Sequence, residues 1–256
     1  MSKIFLSIII PCYNEEANLK RGVLSRIYEY AKQKRFGWEV IISDDGSGDN
    51  SLEIARKQVR RFNNFKVLDN RHGGKPSALN YGIIAAKGEY VLFTDMDQST
   101  PIEELDKLLP YIKEGYDAII GSRGMDRKNF PIYRKIGSFV FANFRKIFLL
   151  RDINDTQCGF KLFKRSIIAS TFTKLEFFKN NKEVKGWKVS SYDVELLHLI
   201  EKTGGRIMEV KVIWKDEDKS ISKGSSLQRY FRESVDMIKQ ILRVKINDVR
   251  GLYSDR

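Results

Sequence analysis

Two aspartates one residue apart, Asp95 and Asp97, close the apolar run Tyr90-Val91-Leu92-Phe93 and are followed by the polar turn Gln98-Ser99-Thr100 and Pro101. Carboxylates this close repel each other unless one is protonated or a cation lies between them. Mg²⁺ or Mn²⁺ suits such a pair, because these ions take one or two carboxylates and complete their shells with substrate phosphates. Taken alone, the triplet is equally what a loop makes when Asp97 caps the next helix. Two further strand-like runs also end in acid. Trp38-Glu39-Val40-Ile41-Ile42-Ser43 runs into Asp44-Asp45-Gly46-Ser47-Gly48-Asp49, and Phe5-Leu6-Ser7-Ile8-Ile9-Ile10 into Pro11-Cys12-Tyr13-Asn14-Glu15-Glu16. Three apolar strands therefore carry Pro11, Tyr13 and Glu15, then Asp44 and Asp45, then Asp95 and Asp97 to one edge of one sheet. An open α/β sheet places its ligands at that edge, beyond the strand carboxyl ends.

These residues, with His72-Gly73-Gly74-Lys75 before a helix, resemble the family-two inverting glycosyltransferases of GT-A fold. Gly121-Ser122-Arg123, Asp155-Thr156-Gln157-Cys158-Gly159-Phe160-Lys161 and Tyr192-Asp193-Val194-Glu195-Leu196 narrow the likeness to the polyprenyl-phosphate branch. Within it the chain is most similar to the dolichyl-phosphate β-glucosyltransferases and, a step away, to dolichol-phosphate mannose synthases. The resemblance covers roughly residues 5 to 225 and implies transfer of a sugar from a nucleotide sugar to a polyprenyl phosphate. It implies further that Pro11, Tyr13 and Glu15 line the nucleotide pocket, with Met96 in the same donor-binding set. Gln98-Ser99-Thr100-Pro101 departs from the mannose-type pattern, which favours a UDP-linked, glucose-type donor over GDP-mannose.

Residue chemistry assigns further roles. Metal at Asp95 and Asp97 would neutralise the charge that builds as a diphosphate leaves, with Asp97 as direct ligand and Asp95 meeting ribose or a metal-bound water. Asp45 suits a nucleobase or ribose hydroxyl, since a carboxylate accepts from N–H and O–H donors. Lys75 follows two glycines and precedes Pro76, and a glycine-rich approach to a helix N-terminus is a ready phosphate site. Arg123, after the strand 118–121, is a phosphate or sugar ligand or else an ion-pair partner. Asp155 is open between general base and an orienting role, because a phosphate acceptor, with a second pKa near ~6, needs no proton removed at neutral pH. Asp193 and Glu195 are the alternative bases, or simply acids in a helix's first turn. Lys161 and Lys223 are candidates to hold the acceptor phosphate. His72 falls in the motif loop near the donor, and His198 among leucines reads as packing.

The elements that must position these groups alternate. Strands are expected near 5–10, 39–43, 65–69, 90–94 and 118–121 with helices between, which gives a mostly parallel, doubly wound α/β sheet. Beyond Arg123 the rhythm changes: an aromatic stretch with basic pairs at 130–150, a helix over 190–203, a strand over 206–214 and a basic amphipathic helix over 226–244. We read one GT-A domain with a nucleotide-sugar half (about 1–123), an acceptor half (about 124–225) and a basic C-terminal helix and tail (226–256).

The 256 residues, 42% hydrophobic, can bury a full α/β core. Cys12 and Cys158 have no metal-type spacing and read as reduced packing thiols. No signal peptide or membrane span is legible. The formal charge of +13 calls for an anionic partner. Basic residues interleaved with aromatics in 130–150 and 226–244 suit the headgroup boundary of an anionic membrane. The expected location is therefore cytoplasmic, peripheral at the cytoplasmic face, alone or through a membrane-anchored partner protein. Two other classes fit poorly. A dinucleotide oxidoreductase fails because Ser51 stands where the third glycine of the fingerprint belongs. Nucleic-acid binding fails because three acidic strand ends on one face would repel backbone phosphates. Within the glycosyltransferases the rival is transfer to a saccharide hydroxyl, as in cell-wall or exopolysaccharide synthesis.

Overall fold

Side chains along the central strands are buried almost without a break and alternate between two apolar cores, so both faces are covered. In β1 (Ile4–Cys12), Leu6, Ile8 and Ile10 enter one apolar core while Ile9 enters a second. Likewise Val40 and Ile42 of β2 (Gly37–Asp44) face the first core and Ile41 the second. A sheet buried on both faces must carry helices on both, which is the doubly wound arrangement. The computed structural model describes residues 3–124, 150, 152–179, 192–215, 217 and 227–253.

The remaining strands are β3 (Phe65–Asp69), β4 (Tyr90–Phe93), β5 (Ala118–Ser122), β6 (Lys161–Lys164) and β7 (Ile207–Lys211). They form a seven-stranded sheet in the order β3-β2-β1-β4-β6-β5-β7. α1 (Glu16–Lys20) and α2 (Val23–Ala31) connect β1 to β2, α3 (Ser51–Val59) leads to β3, α4 (Lys75–Ala85) to β4 and α5 (Leu105–Lys113) to β5. Leu24 and Ile27 of α2 and Leu105 and Leu108 of α5 fill the first core. The second takes Leu79 and Ile83 of α4, Ile168 and Phe172 of α6 (Arg165–Phe172), Leu196 of α7 (Tyr192–Lys202) and Ile241 and Val244 of α8 (Leu227–Val249).

Register fixes which ends meet. Cys12 pairs with Asp44 and Ile9 with Phe93 in parallel ladders. Phe93 and Ile120 both pair with Lys161 across antiparallel ones. The carboxyl ends of β1, β2, β4 and β5 and the start of β6 therefore share one edge.

β6 was not expected. Sequence pattern makes β4 and β5 sequential parallel neighbours, whereas the structure inserts a short antiparallel strand between them. Its signal is weak because Lys161 and Lys164 bracket only two apolar residues. Those two commit it to the interior: Leu162 packs in the first core and Phe163 in the second, both fully buried. The strand expected over 206–214 spans Ile207–Lys211, and the C-terminal helix runs on to Val249. The stretch 130–149 and Lys223 lie outside the described residues.

Candidate active site

The first two strand ends are stitched to each other. The Asn14 N–H donates to Ser47 Oγ (3.0 Å), the Gly48 N–H to Asn14 Oδ1 (2.8 Å) and the Glu15 N–H to Ser51 Oγ (2.7 Å). Asn14 takes a left-handed φ of 56°, which asparagine tolerates through such local bonds. Asp44, buried, accepts from both the N–H and the hydroxyl of Ser47 and so closes its own turn. The Glu15 carboxylate accepts from Asn18 Nδ2 at 2.6 Å. Pro11 lies in β1, and the Tyr13 ring stacks on His72 with centroids 4.7 Å apart.

Asp45 changes the expectation for the glycine loop. Its fully buried carboxylate accepts from the amides of Gly73 (3.0 Å) and Gly74 (2.8 Å) and lies 2.9 Å from His72 Nδ1. An internal carboxylate thus takes the two amides ahead of α4 that were expected to meet a phosphate. Burial pushes the Asp45 carboxyl above its usual range, and the two amides and His72 oppose that only in part. Gly74, at φ 88°, makes the reversal into the helix.

At the end of β4, Lys75 extends its ammonium to Asp95 Oδ1 at 2.5 Å, with the lysine 13% and the aspartate 38% exposed. Burial alone would lower the Lys75 pKa, yet Asp95, Asp193 and Asp97 together raise it, so the ammonium stays charged. Met96 is buried between the two acids and anchors the turn in the first core. Asp97, half-buried, accepts the Ser99 N–H at Oδ1 (2.8 Å). Gly159 was overlooked by sequence reasoning: a Cβ there would sit 1.9 Å from Asp95 Oδ2, so any side chain at this position would push that carboxylate aside. The small residue between Cys158 and Phe160 was the available signal.

On the β5–β6 side the charged groups close on one another. Arg123 holds Asp155 through Nε–Oδ2 (2.7 Å) and Nη2–Oδ1 (2.8 Å), and its backbone N–H adds a third bond at 3.0 Å. Glu209, another residue not foreseen, accepts the Asp155 N–H at 2.8 Å, and the Arg123 guanidinium lies 5.8 Å from the centre of the Trp214 ring. Burial would raise the Asp155 carboxyl, but Arg123 outweighs it and holds the group well below the usual carboxylate range. A carboxylate so stabilised in its charged form is a poor proton acceptor at neutral pH. Lys161, expected at an acceptor phosphate, is 2% exposed, and its ammonium donates to Asp193 Oδ1 and Cys158 O, each at 2.5 Å. This buried pair corrects the expectation for both residues, since a lysine drawn inside by a carboxylate and a carbonyl presents no cation to solvent. Glu195 is likewise internal: 1% exposed, it accepts from the Glu176 N–H and Tyr253 hydroxyl at 2.9 Å each and from Arg243 Nη2 at 2.9 Å. It clamps α8 and the residues after it to α7 and is no base. His198 packs beside the Tyr253 ring with Asp248 3.4 Å away.

The structure thus brings Pro11, Tyr13, Glu15, Asp45, Lys75, Asp95, Met96 and Asp97 to one sheet edge, with Arg123 and Asp155 at the end of β5 on that same edge. Comparison with known proteins matches residues 7–172 to the family model "Glycosyl transferase family 2". A dolichyl-phosphate β-glucosyltransferase of Saccharomyces cerevisiae is 30% identical over 99% of this chain and 78% of its own length. One from Drosophila melanogaster is 34% identical over 84% and 68%. Among solved structures, mannosyl-3-phosphoglycerate synthase from Rubrobacter xylanophilus superposes with a TM-score of 0.66 at 14% identity, over 96% of this chain and 75% of that one. Glucosyl-3-phosphoglycerate synthase from Mycobacterium tuberculosis, in complex with Mn²⁺ and UDP-glucose, gives 0.63 at 18% identity, over 94% and 79%. At these identities the structural matches establish the GT-A fold alone.

Proposed function

The chain belongs to glycosyl transferase family 2, and from that premise we propose that it is an inverting glucosyltransferase moving glucose from UDP-glucose to a polyprenyl phosphate of dolichyl type. The observation that carries the reading is the Asp95-Met96-Asp97 turn at the carboxyl edge of β4 with the Lys75 ammonium 2.5 Å from Asp95. Two hard acids beside a retained cation are what a metal-bound diphosphate requires on its two sides. The acceptor class rests on relatives named dolichyl-phosphate β-glucosyltransferase that align along nearly the whole chain.

The donor set fits a Mg²⁺ or Mn²⁺ ion. Asp95 and Asp97 are both partly exposed, and among the described residues no group of three or more His, Cys, Asp and Glu side chains could hold a cation unaided. Such a pair suits an ion that takes its other ligands from phosphate and water. Asp97 would ligate directly and Asp95 through water or the donor's ribose; the ion, when bound, neutralises charge on the departing diphosphate.

The chain's own residues do the rest. Tyr13, stacked on His72, offers an aromatic face to the base, with Pro11 and Glu15 beside it. Lys75, paired with Asp95, turns to the diphosphate. Arg123 presents an edge to sugar or phosphate while Asp155 orients it. No side chain is assigned as general base: Asp155, Asp193 and Glu195 are each held in internal pairs, and a phosphate acceptor is already largely dianionic at neutral pH. Lys223 stays a candidate for the acceptor phosphate.

We place the protein at an anionic membrane surface, on the cytoplasmic side. Among the described residues no helix is long and apolar enough to cross a membrane. Leu242, Ile246 and Val249 form an exposed stripe on α8 with Lys239 and Arg250 beside it. That stripe is the lipid-facing element of this stretch; Ile241 is in the core and Arg243 is spent on Glu195 and Glu176, contrary to the sequence reading. The test of the function is a donor panel with Mn²⁺ and a short polyprenyl phosphate. UDP-glucose should give the glucosylated lipid in preference to UDP-N-acetylglucosamine and GDP-mannose; exclusive use of GDP-mannose would overturn the donor assignment.

A further inference from the structure

The turn carrying Asp97 holds a conformation its sequence does not favour. Gln98 sits at φ 52°, the left-handed region, which a residue other than glycine keeps only where its surroundings over-determine it. The supports are visible. Gln98 Nε2 donates to Thr94 Oγ1 (3.0 Å) and to the Asp95 carbonyl (2.8 Å). From the chain beyond β7, the Lys215 N–H donates to the Ser99 carbonyl at 2.8 Å. One side chain joins the outer supports to each other. Arg21, between α1 and α2, donates from Nη2 to the Asp97 carbonyl and from Nη1 to the Glu217 carbonyl, each at 2.8 Å. The Glu217 carboxylate, 3.4 Å from the same nitrogen, balances its charge. Arg21, Asp97, Ser99, Lys215 and Glu217 line one cavity of about 320 Å³.

We infer that Arg21 is the positioning residue of Asp97: it fixes the peptide from which the carboxylate projects and ties that peptide to Glu217. The inference rests on the reading of Asp97 as a metal ligand. Two carbonyls from different segments are reached by one planar fork, which a lysine cannot reproduce. Arg21 and Asp97 are joined across the fold by this bond, so a purely local role in ending α1 would leave Asp97 unaffected.

The test is Mn²⁺ binding to the full chain in saturating UDP, read from the electron paramagnetic resonance signal of free Mn²⁺, beside the thermal midpoint of each variant. Arg21→Ala should weaken Mn²⁺ binding about tenfold, the low end of what outer supports of a ligating group are worth. Arg21→Lys should fall between it and the wild type, and Glu217→Gln, which keeps its carbonyl, should stay within about twofold of wild type. Arg21→Ala folded and binding Mn²⁺ as the wild type does would overturn the inference while leaving the site reading intact. If that variant does not fold, Arg21→Lys decides, and wild-type affinity in it counts against the inference. A wild-type chain that binds no Mn²⁺ with UDP would overturn the site reading and this inference with it.

Discussion

The two halves of the functional edge carry similar charges and use them differently. At the β1–β2–β4 side, Asp95 is 38% exposed and paired with Lys75, and Asp97 is half-buried. At the β5–β6 side, Lys161 and Glu195 are at most 2% exposed, and Asp155 and Asp193 are bound to Arg123 and Lys161. A carboxylate left partly in water remains available to a ligand. One that is buried must be paired, and the pair then serves the fold. Substitutions should therefore split: at Asp95 and Asp97 they remove activity from a stable protein, and at the buried pairs of the second side they remove stability.

The largest effect should come from Asp97→Ala. Transfer falls about 10³-fold, several kcal/mol of lost stabilisation of the leaving diphosphate, with the thermal midpoint unchanged. EDTA should do the same to the wild type and Mn²⁺ should reverse it. Asp155→Ala belongs to the other class. Removing one partner of a nearly buried bidentate pair costs about 3 kcal/mol in denaturant unfolding, because Arg123 keeps its charge without a counter-ion. Were Asp155→Ala fully stable but inactive, the division drawn between the two sides would fail. Glu195→Gln should cost about 2 kcal/mol, since it removes the negative charge facing Arg243 while keeping an acceptor for the Tyr253 hydroxyl. It should raise hydrogen exchange in α8 ahead of the sheet.

The smallest effect is a pH dependence. The folded-state pKa of Asp155 is depressed, so its contribution is complete above the ordinary carboxylate value near ~3.9 and is lost as pH falls below it. Stability should stay level through neutral pH on this account and drop only in acid, with Asp155→Asn lacking that part of the drop. Loss of the Asp155 contribution near neutral pH would contradict the pairing.

Much of the sheet and of the exposed half of the site could be read directly. Long β-branched runs such as Ile8-Ile9-Ile10 mark strands whichever faces are covered, and acids directly after such runs must lie at a sheet edge. β6 escaped because it has only two apolar residues between lysines, and its place between β4 and β5 depends on pairing partners remote in sequence. The roles of Lys161, Glu195 and Asp45 escaped for a different reason. A charged residue in a motif reads as a ligand, and only the fold reveals that Asp193, Arg243 or the Gly73 and Gly74 amides have already taken it. Gly159 and Arg21 were silent because their partners, Asp95 and Asp97, lie far along the chain.

The central claim is that the chain hands sugar to a phosphate and supplies no base of its own. The direct measurement is the pH–rate profile at saturating UDP-glucose and Mn²⁺ with two acceptors, a polyprenyl phosphate and the matching phosphonate, whose second pKa is higher. The account predicts that the acid limb, near pH ~6 for the phosphate, moves up with the acceptor's own pKa. A limb that stays at the same pH for both acceptors, or equal transfer to the free polyprenol, would place a titrating base on the enzyme and contradict it.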